Sequence, residues 1–256
     1  MKLISFFGGD AHTGCTTVAD AVARTIASRG SRTLFISASG KASLPYTQKE
    51  LCHSIDDIRA SLISDKLSRE ELAQAAEQDG ALEIIGDVRN TYTSKLFPVD
   101  TFKKIKRLSE DYSYIVVDGG SRMDIAMAIS ALNESDERYF VISQSPVCLH
   151  RFKETDDYIL RQLQTNFKII LNRFSREFAF YRRNEMEAMI ERTIDYIVPD
   201  IEYGAYAQFE RRNVLLTKGG KRSLNEITDG ILQENSTRKS RGFFSRGLFG
   251  ESKEKH

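Results

Sequence analysis

The sequence predicts an α/β fold, a doubly wound and mostly parallel sheet with helices on both faces. Three observations carry that prediction. Short runs that are apolar at consecutive positions, and so suited to burial on both faces, recur along the chain. Segments with apolar residues at three- and four-residue spacing alternate with them. A glycine-bearing loop joins the first run to the first such segment.

Residues 2–7 (KLISFF) form an apolar run that stops at Gly8-Gly9, as a buried strand does on entering a turn. From Thr16 the pattern changes to Val18, Ala19, Val22, Ala23, Ile26 and Ala27, with Gly30 as a stop, which predicts a helix. Residues 33–36 (TLFI) give a second strand, and 81–85, 114–117, 138–142 and 167–171 give further ones. Between them, 69–78, 99–109, 123–132 and 152–163 read as helices. No internal repeat is visible. The expected organisation is one domain over 1–232, a polar linker over 233–241 (QENSTRKSR) and a basic-aromatic tail over 242–256.

With 256 residues and 41% hydrophobic content the chain can bury a sizeable core, which excludes a disordered protein. Sixteen Gly and four Pro exclude collagen-like and low-complexity classes. Cys15, Cys52 and Cys148 show neither disulfide nor zinc-finger spacing, so a reducing cytoplasm is the expected setting. No apolar stretch is long enough to span a membrane, and the one at the start is too short for a secretory signal. The net charge of +1 is uneven. The last 19 residues carry six basic and two acidic groups, while the rest sums to −3. A weakly acidic body argues against a whole-domain nucleic-acid binder and directs attention to the tail.

Gly9 to Thr17 (GDAHTGCTT) has the spacing of a phosphate loop: a glycine, four residues, a second glycine, one residue, then a hydroxyl at a helix start. In such a loop successive N–H groups and the helix N-terminus hold polyphosphate, and the hydroxyl, Thr16, meets a magnesium ion. The lysine is missing, and Cys15 stands in its place. A thiol with an ordinary pKa of about 8.5 supplies no cation. Asp10 adds an acidic group, and His12 either donates to phosphate when protonated or crowds the loop. The competing reading is a glycine-bearing strand-helix junction that binds nothing.

Four later segments complete a pattern: YSYIVVDGGS (112–121), RYFVISQSPVCLHRF (138–152), LNRF (171–174) and YIVPDIEYGAYAQFERRNVLL (196–216). Together with residues 2–37 they resemble, in order, the landmarks of the MinD/ParA family of dimeric P-loop ATPases. The resemblance implies the P-loop NTPase fold, ATP and magnesium as ligands, and a homodimer. It implies that Gly9, Thr13, Gly14, Thr16 and Thr17 line the phosphates. Asp118 would contact the metal's water shell and Asn172 the adenine edge; a capping residue and a turn residue are the respective alternatives.

The departures are equally specific. Asp10 stands where the family has a second lysine reaching the partner's nucleotide, and Ser37 and Ser39 stand where it has an aspartate pair. Phosphoryl transfer rests on positioning and charge stabilisation, so these losses point to a degenerate member, a pseudo-ATPase. Within the family the chain looks most like the CpaE/TadZ branch, which positions pilus-assembly machinery at the membrane.

In the tail, Arg241 and Arg246 are interleaved with Phe243, Phe244, Leu248 and Phe249. Rings can enter the lipid headgroup boundary while basic groups meet anionic lipid. The segment is similar to the C-terminal membrane-targeting helix of MinD; docking on the body or on a partner protein is the alternative. One short anchor binds weakly, so a dimer with two tails is expected to reside on the inner face of the cell membrane. The functional expectation is a scaffold that recruits a pilus, secretion or other cell-envelope machine. The alternatives are a slow ATP-dependent dimerisation switch in division or partition, and a DNA-binding partition protein.

Overall fold

The computed structural model describes residues 1–42, 46–47, 50–177, 180–202, 207 and 210–244, with backbone alone over 234–244. Among these residues eight strands form one sheet: β1 (Lys2–Gly8), β2 (Thr33–Ser37), β3 (Glu77–Asp79), β4 (Leu82–Ile85), β5 (Tyr114–Asp118), β6 (Glu137–Ile142), β7 (Lys168–Phe174) and β8 (Tyr196–Pro199). Their spatial order is β3-β4-β2-β5-β1-β6-β7-β8. Every neighbouring pair is parallel except β3 with β4. Among the same residues the α-helices are α1 (Cys15–Ser28), α2 (Arg59–Ile63), α3 (Arg69–Ala75), α4 (Thr101–Leu108), α5 (Ala126–Glu134), α6 (Pro146–Thr155), α7 (Arg183–Ile190) and α8 (Lys221–Phe244).

The continuous apolar strands are explained by two cores, one on each face. Ile4, Phe6, Val116, Tyr139 and Val141 pack with α1 and α8 through Val18, Val22, Ile26, Leu224, Ile227 and Ile231. The alternate residues Leu3, Phe7, Val117, Phe140 and Ile142 pack on the opposite face with Phe102, Ile105, Met127, Leu149 and Phe152. Phe140 is the hub of that side: its ring lies 5.3 Å from Phe7, 5.7 Å from Phe152 and 5.0 Å from Phe167. Strand order reverses at β1, with β5 and β2 to one side and β6 to β8 to the other. The loop after β1 therefore opens where doubly wound sheets bind ligands.

Two predicted helices are corrected. The helix expected over 69–78 ends at Ala75, and its last residues become β3, folded back antiparallel on β4 around Gly80, whose φ is +64°. The helix expected from 152 starts at Pro146, where the ring's fixed φ suits a first turn, and gives way after Thr155 to a π-helical segment, Asp156–Leu160. Helical backbone runs through 233–241, the segment expected as a polar linker, as part of α8. The proline-bearing segment at 196–199 adds β8 at the sheet edge.

Two buried polar groups tie the layers together. Lys2 forms a buried ion pair with Glu137 and donates to the Ile231 carbonyl of α8 (3.2 Å). On α1, Asp20 accepts from Arg24 Nε (3.0 Å) and Asn213 Nδ2 (2.8 Å), and that same Nδ2 donates to the Thr17 carbonyl (2.8 Å). Burial outweighs Arg24 and lifts Asp20 from the usual 3.8 to about 6. The native state therefore binds this proton more tightly than the unfolded chain, and Asp20 contributes stability as pH falls through about 6. Between pH 7 and pH 4 the gain is about 2 kcal/mol. Thermal midpoints measured against pH should show it as a slope that Asp20→Asn removes; identical slopes would overturn the assignment.

Candidate nucleotide site

At the end of β1 the Gly8 N–H donates to Gly120 O (2.7 Å) and the Gly9 N–H to Val141 O (2.9 Å), so the loop leaves from between β5 and β6. Gly9 is required by close approach: a Cβ there would lie 2.8 Å from Ile142 Cγ2 and 3.0 Å from Phe152 Cβ. His12 is exposed and held at φ +62°. Gly14, at φ +83°, forms the N-cap of α1 with no side-chain cap. The N–H groups of Thr13, Gly14, Cys15, Thr16 and Thr17 meet no acceptor among the described residues. Successive unsatisfied amides ending at a helix N-terminus make a cradle for anionic oxygens, and polyphosphate fits it.

Beneath the loop lies Asp118, the last residue of β5 and fully buried. It accepts from Thr16 Oγ1 (2.6 Å), Cys15 Sγ (3.3 Å) and the Gly120 N–H (3.1 Å). Burial raises its pKa, with Asp87 adding to the rise and the Thr16 bond opposing it. The Cys15 thiol is pushed well up, by burial first and then by the Asp118 charge, so it stays protonated at neutral pH. It donates downward to the carboxylate. The position of the phosphate lysine is thus filled by a neutral group turned away from the loop's amides.

The other site residues fall as follows. Asp10 accepts from its neighbour's N–H (Ala11, 2.7 Å) and pairs with Arg151 of α6 at 2.6 Å, so its charge is compensated within the chain. Asn172, buried at β7, donates Nδ2 to the Thr13 carbonyl (2.8 Å), which leaves Oδ1 and the second N–H of the amide to meet a base. The Thr17 hydroxyl is shared with the Tyr46 hydroxyl (2.6 Å). Thr16 and Asp118 stand together, hydroxyl to carboxylate, at the mouth of α1. Among the described residues no group of three or more His, Cys, Asp and Glu side chains is arranged to hold a metal by itself.

Sequence reasoning missed Asp87, Lys41, Arg151 and Tyr46. Asp87 is buried just past β4 and accepts from Ser39 Oγ (2.5 Å) and the Gly40 N–H (3.1 Å). A carboxylate thus stands beside Ser39, supplied by the neighbouring strand. Its signal was available, since an aspartate closing an apolar run (IIGD) is the pattern that singled out Asp118. Lys41, on the loop after β2, places Nζ 2.6 Å from Ser121 Oγ.

Of the tail residues, Arg241, Phe243 and Phe244 lie on the helical backbone of α8, and Arg246, Leu248 and Phe249 lie outside the described residues. Among the described residues no helix is long and apolar enough to cross a membrane.

No protein-family model matches the chain, and no curated protein matches it. Solved structures do. A ParA family ATPase from Chlorobium tepidum aligns with a TM-score of 0.74 at 18% identity, covering 89% of this chain and 98% of that one. The MinC:MinD cell division protein complex of Aquifex aeolicus gives 0.71 at 14%, covering 91% and 96%. MinD of Pyrococcus horikoshii, complexed with Mg-ADP, gives 0.69 at 16%, covering 90% and 95%. The sheet order, the loop after β1 and these similarities agree that this chain has the P-loop fold of the MinD/ParA ATPases.

Proposed function

We propose that this chain is a membrane-associated positioning protein that keeps the MinD/ParA architecture with a degenerate nucleotide site, nearest to the CpaE/TadZ branch. It recruits a pilus, secretion or other cell-envelope machine as a homodimer. The observation that carries this reading is the buried Cys15 thiol, donating to Asp118 at 3.3 Å where a phosphate lysine would reach forward. Transfer of a phosphoryl group needs charge stabilisation at that place, and a neutral thiol supplies none.

The amides of residues 13–17 would hold the phosphates of ATP, Thr16 and Asp118 its hydrated magnesium, and Asn172 Oδ1 the adenine edge. Bound nucleotide supplies charge and a bridge across the loop, and acts as a conformational ligand. The tail then ties the dimer to anionic lipid, two weak anchors adding through effective concentration. The intact Thr16–Asp118 pair favours a second reading, a slow ATP-dependent dimerisation switch.

Sedimentation with phosphatidylglycerol vesicles and MgATP, with phosphate release followed in the same tubes, tests both parts. The full-length chain should pellet, a truncation ending at Thr237 should stay in the supernatant, and phosphate release should remain at background. Equal pelleting would refute the anchor. Vesicle-stimulated release would replace the degenerate site with the switch.

A further inference from the structure

Polyphosphate in this loop would face a shortage of positive charge. The buried ionisable groups beneath it, Asp118 and Asp87, are both acids. Arg151 is nearby but already engaged with Asp10 at 2.6 Å. Lys41 is different. It is exposed, its Nζ rests on the uncharged Ser121 Oγ at 2.6 Å, and among the described residues no carboxylate pairs with it.

Its position is fixed from two directions. The Lys41 N–H donates to Ser39 Oγ (3.2 Å), which itself donates to the buried Asp87, so the loop after β2 is pinned to the end of β4. Ser121 borders the start of the phosphate loop: the Gly8 N–H donates to Gly120 O at 2.7 Å, and a Cβ on Gly8 would lie 3.2 Å from Ser121 Cβ. Lys41 is also close enough to Cys15 for its charge to oppose the rise of the thiol pKa.

The geometry points to Lys41 as the phosphate-facing cation of this site, supplied by the loop after β2 in place of the missing loop lysine. This rests on the nucleotide binding proposed above. Lys41 acts by direct contact with the β- or γ-phosphate, leaving Ser121 when nucleotide enters. Position 15 carries no cation, and Lys41, on a different strand's loop, stands beside the start of the phosphate loop.

Titration calorimetry with MgATP and with MgADP on the full chain tests this. Charged hydrogen bonds are worth roughly 10- to 100-fold in affinity, so Lys41→Gln should weaken MgATP by that factor and flatten the salt dependence of binding. Lys41→Arg should recover most of the affinity. Ser121→Ala, which removes the resting partner but not the charge, should change it only a few-fold. A parallel loss of MgADP affinity would place the contact at the β-phosphate, and a loss confined to MgATP at the γ-phosphate; either supports the proposal. Wild-type affinity retained by Lys41→Gln overturns it, as does failure of Lys41→Arg to rescue. Absence of MgATP binding by the wild-type chain overturns the underlying nucleotide reading as well, so the two failures are distinguishable.

Discussion

Gly14→Val is expected to lower the thermal midpoint by roughly 10 °C and to abolish the nucleotide binding proposed above. Gly14 holds φ +83°, a left-handed conformation that costs an L side chain about 1–2 kcal/mol. The added Cβ would also collide with Asn172 Nδ2, which is buried and donates to the Thr13 carbonyl. Displacing that amide leaves a buried donor unpaired, at about 1–3 kcal/mol. In a chain of this size each kcal/mol moves the midpoint by about 2–4 °C. Gly80→Ala is the matched control: φ is +64° but nothing lies within 4 Å of the new Cβ, so only the backbone strain is felt. Calorimetry of the two variants checks this, and equal shifts would deny the Asn172 contact its role in holding the loop.

Phe140→Ala should be more damaging, by about 3–5 kcal/mol, since it opens a cavity at a ring with no exposure. Phe7, Phe152 and Phe167 each lose a partner. Phe152 is also the floor under Gly9, where its Cβ lies 3.0 Å from the position a glycine Cβ would take. Phe140→Ala should therefore loosen the phosphate loop, visible as faster amide exchange at residues 9–14, whereas Phe140→Leu should cost less than about 1.5 kcal/mol. Unchanged exchange alongside lost stability would separate the core from the loop.

The strand, loop and helix of residues 2–28 were legible because glycines punctuate a change of period from consecutive apolar positions to a three-and-four spacing. Asp118 and Thr16 stood out for the same reason, one closing an apolar run and the other opening a helical period. β3 was not: Glu77, Gln78 and Asp79 carry no alternation, and a strand forms there only because the Gly80 turn brings them to β4. The start of α6 was announced by Ser145-Pro146, but the apolar spacing beyond it outweighed that signal. The charges of the site were hardest to place. Ser39 and Asp87 are 48 positions apart and Asp10 and Arg151 are 141 apart, so which acid or base stands beside which depends on strand order.

The location of β1 has a consequence for how the protein is made. Its partners are distant in the chain: Leu3 faces Ile115, Ile4 faces Glu137, and Lys2 reaches the carbonyl of Ile231. At synthesis rates of about 5–20 residues per second, β1 waits roughly 7–27 s for β6 to be made and longer for α8. During that time KLISFF is an apolar segment of high strand propensity with both edges open. The centre of the finished sheet is thus made well before the strands that flank it, and folding yield should depend on whatever shields residues 2–7 until β5, β6 and α8 arrive.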